Sequence, residues 1–407
     1  MSYATLPHQP TIPIRPFSVS IPDSDIQDLH SLLKSTRIAK QSYENAESAA
    51  KVNNFGVSRE WLVNMRDEWL NYDWRKEETR INSFPAYIAT LKNKDGLDYD
   101  IHFTGLFSQK KDAVPIILSH GWPGTFLEFV PILELVRKQY TPETLPYHLV
   151  VTSLPGWIFS SPPAQDREFG VKDVGYLWNE LMVGLGFGDG YMSQGGDIGS
   201  YVTMELGSTY DQCKAIHLNY RHVLHSVPPD APPSDISPPP PPSTERLFEL
   251  FQNFGYFLEH ATRPSTIGLV AGSNPLSLLA WIGEKYVSWT DETPGVDTIL
   301  AFASLYWFTD CFSTSLYTYR YGAGIKRKES RAEHEYQSCP TGFSFFPKEF
   351  VPVSLDVVKA SNNLVWYKQH DAGGHFAALE KPDVLWADIE DFVGTQWEKC
   401  SRKTGRV

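Results

Sequence analysis

Residues 191–200 read Tyr191-Met192-Ser193-Gln194-Gly195-Gly196-Asp197-Ile198-Gly199-Ser200, and this stretch decides the fold. Tyr191–Gln194 reads as a short strand, and Ser200–Gly207 as the opening of a helix. Between them stands G-x-Asp-x-G, the pattern of a nucleophile elbow with Asp in the place usually held by Ser. A strand that turns sharply into a helix crowds its own backbone, so the positions two before and two after the nucleophile must be small. Taken alone, the pattern also fits an ordinary Gly/Asp turn. No G-x-S-x-G occurs elsewhere in the chain to compete with it.

The flanking sequence supplies the rest of an α/β architecture. Ala113–His120, His148–Leu154 and Ala215–Tyr220 are continuous apolar runs, as expected of parallel strands buried on both faces. Phe343–Phe346 and Leu364–His370 add two more, with helical segments between them, which predicts an α/β fold: a mostly parallel sheet flanked by helices. The first run ends in His120-Gly121-Trp122-Pro123-Gly124. In α/β hydrolases this loop gives one oxyanion-hole N–H and the residue after the nucleophile gives the other; here they are Trp122 and Ile198. His120 itself reads as a structural histidine bonded to the loop. The last run is followed by Gly373-Gly374-His375, which puts His375 at the carboxyl edge of the sheet, where catalytic groups collect. Glu349, just past the Phe343–Pro347 run, fits as the carboxylate partner of His375. Asp356 and Asp371 are rivals, neither directly at a strand end. The order 197, 349, 375 is nucleophile, acid, histidine, that of the α/β-hydrolase fold.

Around this core four segments are expected. Residues 1–93 read as a helical meander packing on the core and lid, with Ile26, Leu29, Leu32 and Leu33 after the helix start Pro22-Asp23-Ser24. Trp61, Met65 and Trp69 share a helix face, and Trp61, Trp69 and Trp74 read as packing groups. Residues 94–226 form the first part of the core. Residues 227–323 hold a stiff connector, with nine prolines in Pro228–Pro242, and then a helical lid rich in Tyr, Trp and Phe. Residues 324–407 complete the core.

Composition excludes several classes. A net charge of −12 without a long Lys/Arg run argues against nucleic acid as partner. No run of 18 apolar residues and no signal pattern at the N-terminus point to a soluble cytoplasmic protein without a membrane anchor. Cys213, Cys311, Cys339 and Cys400 are scattered as reduced thiols would be. Gly184–Gly188 reads as a helix stop rather than a dinucleotide loop. His217, His222 and His225 lack carboxylate or Cys company at usable spacing, so no metal is expected.

HGWPG at 120–124, QGGDIGS at 194–200, EHATRPSTIG at 259–268, FSFFPKE at 343–349 and GGHFAALEKP at 373–382 together resemble epoxide hydrolases of the microsomal type, above all their soluble fungal members. The resemblance implies the α/β-hydrolase fold with an inserted lid, and conversion of epoxides to vicinal diols with no cofactor or metal. It implies Asp197 as nucleophile, His375 as base for water and Glu349 as its charge partner. Lid residues Tyr256 and Tyr319 would donate hydrogen bonds to the epoxide oxygen, with Tyr317 as the alternative second donor. Ile198 stands where relatives often have Trp, and Glu349 where some fungal relatives have Asp. The partners implied are a small-molecule epoxide, aryl or bulky and apolar to suit the aromatic lid, and water as co-substrate; a homodimer is compatible. Two other readings stay open from sequence: a haloalkane dehalogenase-like hydrolase with the same nucleophile, and an inactive scaffold that binds a ligand.

Overall fold

The computed structural model describes residues 2–53, 55–221, 254–322 and 336–401. Among them a nine-stranded sheet runs through the middle of the molecule. Its strands are β1 (Ile14–Phe17), β2 (Ala86–Lys92), β3 (Asp98–Leu106), β4 (Val114–Ser119), β5 (Tyr147–Thr152), β6 (Tyr191–Gly195), β7 (Cys213–Leu218), β8 (Gln337–Phe345) and β9 (Asn362–Gln369). The spatial order is β1-β2-β3-β5-β4-β6-β7-β8-β9. From β5 across to β9 every pairing is parallel, whereas β1, β2 and β3 pair antiparallel. Every residue of β4 and β5 is buried, as strands covered on both faces require.

The antiparallel strands are the main departure from the sequence reading. β1 and β2 lie inside residues 1–93, which the pattern predicts to be helical. β1 is four residues long and contains Pro16, tolerable because it sits at the sheet edge. β2 and β3 are joined by Asn93-Lys94-Asp95-Gly96, where Gly96 takes φ +79° and Asn93 Oδ1 accepts from the Asp95 and Leu97 N–H groups. That hairpin chemistry was present in the sequence but was masked by the surrounding helical periodicity.

The N-terminal helices Asp23–Ser35, Glu47–Asn53, Arg59–Asn71 and Trp74–Asn82 brace a second group, Gly255–Thr262, Pro264–Gly272, Pro275–Ser288 and Val296–Phe308. Two braces start at side-chain caps: Ser58 Oγ accepts from Trp61 N–H and Asp73 Oδ1 from Lys76 N–H, each worth about 1 kcal/mol. Trp69 donates its indole N–H to Ser304 Oγ at 2.9 Å, Trp74 meets the Phe308 ring at 5.0 Å, and Trp61 abuts Gly283, where a Cβ would lie 2.7 Å from the ring. All three tryptophans thus pack against the 255–308 helices. Those helices in turn grip the core, where Tyr286 donates its hydroxyl to the Pro123 carbonyl at 2.9 Å.

The helix Val171–Met182 gives way at Gly186, which takes φ +95°; a Cβ there would lie 2.6 Å from His8, so the glycine both ends the helix and admits the N-terminal strand of chain. All four cysteines are buried. Among the described residues no single helix is long and apolar enough to cross a membrane, although Pro264–Gly272 and Pro275–Ser288 reach that length together across a 113° bend. The proline-rich stretch 228–242, His222 and His225 lie outside the described residues.

Candidate active site

Asp197 opens the helix Asp197–Thr209 directly after β6 and takes φ +45°. An L residue in that region costs roughly 1–2 kcal/mol, and the packing around the turn enforces it. A Cβ at Gly195 would lie 2.3 Å from the Gly199 carbonyl oxygen, and one at Gly199 would lie 2.0 Å from that of Ser119. No larger residue fits at either place, which is the steric content of the G-x-Asp-x-G pattern. Ser200 Oγ donates to the Asp197 carbonyl at 2.6 Å and pins the turn from the helix side.

The turn lifts the Asp197 carboxylate over the loop after β4. Trp122 N–H donates to Asp197 Oδ1 at 2.8 Å. Gly121 makes the approach possible, since a Cβ there would fall 2.2 Å from the same oxygen. The Ile198 N–H lies in the first turn of the helix, where backbone donors have no intrahelical partner. His120 is fully engaged in the loop: Nε2 accepts from Leu154 N–H at 3.2 Å, which leaves Nδ1–H to donate to the Gly121 carbonyl at 2.9 Å. Burial lowers its pKa to about 4, so it stays a neutral structural group.

On the other side of Asp197 stands His375, brought in by the turn after β9. Its Nε2 is 3.4 Å from Asp197 Oδ2, and its Nδ1 lies 2.8 and 2.9 Å from the two Glu349 oxygens. Glu349 follows β8 and is itself buried. Asp356 and Asp371 are exposed, so Glu349 is the carboxylate the fold brings to the histidine. Burial alone would lower the His375 pKa, but the Glu349 and Asp197 charges outweigh it and raise it to about 10. With Asp197 free, the imidazole is therefore cationic and sits between two carboxylates. Trp289 fixes its backbone, the His375 N–H donating to the Trp289 carbonyl at 2.9 Å, and Phe350 packs on the ring at 4.8 Å.

Two tyrosines lie close enough to feel the Asp197 charge. Tyr256, on Gly255–Thr262, stacks on the Trp122 ring at 5.5 Å and 10°. Tyr319 stands edge-on to Tyr256 with centroids 6.0 Å apart. Burial, followed by neighbouring negative charge, raises both pKa values well above the ordinary value near 10, so both present O–H. The Tyr319 hydroxyl makes no hydrogen bond of standard geometry among the described residues. Tyr317, two residues away, instead turns toward Trp157 and Phe169, at 5.7 and 5.3 Å. Lys285 Nζ sits 4.7 Å from the Tyr256 ring centre, a cation over a phenol face.

Sequence reasoning missed several lining residues. Asn219, just past β7, and Glu128, just past the Gly124 turn, line a small cavity together with Asp197 and His375. Glu128 is the only charged residue in the run Thr125–Leu133, a signal that marks the residue but not the groups it meets. Among the described residues no cluster of three His, Cys, Asp or Glu could hold a metal ion. His217 is buried instead against Ser344 Oγ at 3.1 Å.

Comparison with known proteins points to one family. Residues 14–129 match the family model for the epoxide hydrolase N terminus. The structure of the Aspergillus niger epoxide hydrolase is 44% identical and superposes with a TM-score of 0.85, covering 98% of this chain and 100% of that one. A Dothistroma septosporum protein described as a candidate epoxide hydrolase is 39% identical over 98% of this chain and 94% of its own. Epoxide hydrolase 1 of Sus scrofa is 28% identical over 94% of this chain and 88% of its own.

Proposed function

The chain belongs to the epoxide hydrolases, and we propose that it adds water to its epoxide in two steps, through an ester on Asp197. The observation that carries this reading is the setting of one carboxylate. Asp197 Oδ1 is held by Trp122 N–H at 2.8 Å, while Oδ2 faces His375 Nε2 at 3.4 Å, and its charge reaches Tyr256 and Tyr319. Oδ2 attacks an epoxide carbon, the C–O bond of the ring breaks, and the departing oxygen takes a proton through the hydroxyls of Tyr256 and Tyr319. Each positioned acid or base contributes roughly 10²–10⁴-fold.

Ester formation removes the Asp197 charge that helps hold the proton on His375. The imidazole then becomes neutral, and the net proton gained by the substrate oxygen equals the one His375 gives up. Water next loses a proton to Nε2 and attacks the ester carbonyl carbon. Trp122 and Ile198 N–H groups stabilise the oxyanion, each worth roughly 10²–10³-fold. The ester C–O bond breaks, His375 protonates the leaving oxygen, the new Asp197 carboxyl gives its proton back to His375, and the diol departs. Glu349 orients the ring and stabilises its cationic form.

Phe350 and Trp289 pack on the His375 ring at 4.8 and 5.1 Å, and Tyr319 on Trp122 at 5.9 Å; these aromatic surroundings favour an aryl or bulky apolar epoxide. Four cysteines scattered along the chain and all buried suit a reducing, cytoplasmic setting. In this reading 94–226 and 324–407 are the catalytic core, 227–323 the connector and lid, and 1–93 the brace.

A single turnover in ¹⁸O-water, with enzyme in excess over styrene oxide, tests the covalent route. The diol should carry unlabelled oxygen, and label should enter the peptide containing Asp197. His375→Gln should form the ester and stall, visible as a mass increase equal to the substrate. Full labelling of the diol in that first turnover, with no adduct on the variant, would make Asp197 a base rather than a nucleophile.

A further inference from the structure

The sequence Thr125-Phe126-Leu127-Glu128-Phe129 puts a carboxyl group in an apolar run. Locally, Thr125 Oγ1 caps a short 3-10 turn by accepting from Leu127 N–H at 3.1 Å, and the turn sends the Glu128 side chain inward, over the HGWPG loop. Its carboxyl occupies the space where residue 124 would have a side chain: a Cβ at Gly124 would lie 1.2 Å from Glu128 Oε1. The two glycines of the loop thus admit two different carboxyl groups, Gly121 that of Asp197 and Gly124 that of Glu128.

Glu128 is 8% exposed, and its Oε1 has no hydrogen-bond partner among the described residues. Leaving a buried polar oxygen unpaired costs about 1–3 kcal/mol, so a structural role does not account for the residue. What it does face is the cavity it lines with Asp197, His375, Asn219 and the Gly121–Trp122 backbone. That cavity has about 10 Å³ of room for the centre of a water-sized sphere, enough for one water, and the nearby His375 Nε2 is also without a full hydrogen bond.

We propose that Glu128 is a water-positioning residue that holds the hydrolytic water between its carboxyl group and His375 Nε2. The proposal rests on the covalent route given above. One hydrogen of the water goes to Nε2, which takes that proton. The other is accepted by the Glu128 carbonyl oxygen, which leaves an oxygen lone pair free to attack the Asp197 ester carbon. Burial pushes the Glu128 carboxyl up to about 8, although the nearby imidazolium opposes the shift. At neutral pH the group is mainly uncharged, so it neither competes with Asp197 for the epoxide nor retains the His375 proton.

Glu128→Met, Glu128→Gln and Glu128→Asp, read by rapid-quench single turnovers of styrene oxide and intact-protein mass, test this. Glu128→Met should form the ester at the parental rate, release it about 100-fold more slowly, and accumulate the adduct. Its melting temperature should equal or exceed the parent's, because an unpaired buried carboxyl gives way to an apolar group of similar volume. Glu128→Gln keeps a carbonyl acceptor and should retain most of the hydrolysis rate. Glu128→Asp withdraws the carboxyl by one methylene and should slow release alone, which decides the matter even if the Met variant does not fold. Parental release in the Met or Asp variant would overturn the proposal, as would equal slowing of both steps with a lower melting temperature. His375→Gln is the control: without an adduct on that variant the covalent route fails, whereas an adduct there with unaltered release in the Glu128 variants sinks only the role of Glu128.

Discussion

Replacing Gly121 by Ala tests the geometry around Asp197 with a single methyl group. The new Cβ would lie 2.2 Å from Asp197 Oδ1, 2.4 Å from its Cβ and 2.6 Å from its Cγ. Ordinary contact begins at 3.4 Å, so the carboxylate has to retreat by about 1.2 Å. The Trp122 N–H bond, now 2.8 Å, cannot survive that displacement, because hydrogen bonds fade beyond about 3.2 Å. A misplacement of about 1 Å costs on the order of 100-fold in rate, equal to about 2.7 kcal/mol in the barrier. Overpacking should also lower stability by about 1–3 kcal/mol. The assay is stopped-flow quenching of tryptophan fluorescence under single-turnover conditions, with ester formation and ester breakdown fitted separately. Gly394→Ala is the matched control: its Cβ meets nothing within 4 Å, so the rate should hold and stability should rise by about 0.5–1 kcal/mol. Ester formation in Gly121→Ala within threefold of the parent would refute the argument that this glycine sets the position of the Asp197 carboxylate.

Tyr256→Phe and Tyr319→Phe should each slow ester formation by roughly 10²-fold without affecting its breakdown, and the double variant should barely alkylate; rapid-quench mass analysis reads both steps. In the unliganded enzyme the His375 pKa is raised from 6.5 to about 10, so the folded state binds its proton more tightly. That stabilisation is complete below pH 6.5 and disappears as pH rises to about 10. Melting temperature should therefore fall across this interval, and calorimetry of His375→Gln should find a shallower decline; an unchanged slope would speak against the imidazolium. Asp388 is fully buried and binds Ser344 Oγ and His370 Nε2 at 2.6 Å each, with Lys368 Nζ at 3.0 Å. Asp388→Ala should cost about 3 kcal/mol in urea unfolding, and a loss below about 1 kcal/mol would mean that this cluster does not tie the last helix to the sheet.

The groups proposed to react were legible in sequence because each depends on a local rule. A strand that ends in a tight turn demands glycine on both sides of Asp197, and apolar runs mark where β4, β8 and β9 stop. Chain order then ranks Asp197, Glu349 and His375. The antiparallel strands β1 and β2 were not legible, since a four-residue edge strand such as β1 exists only through its pairing with β2. The choice of Tyr319 over Tyr317 came from the resemblance alone; two residues apart, their rings lie against different neighbours, Tyr319 against Tyr256 and Tyr317 against Trp157 and Phe169. Glu128 is the clearest case. Its neighbours in sequence are apolar, whereas the groups that give it meaning, Asp197 and His375, arrive from other strands. The charge on His375 is likewise decided through space, by burial and by two carboxylates 26 and 178 residues away along the chain. Steric rules act between adjacent residues and are therefore written in the sequence, whereas burial and Coulomb energy depend on distances that only the folded sheet sets.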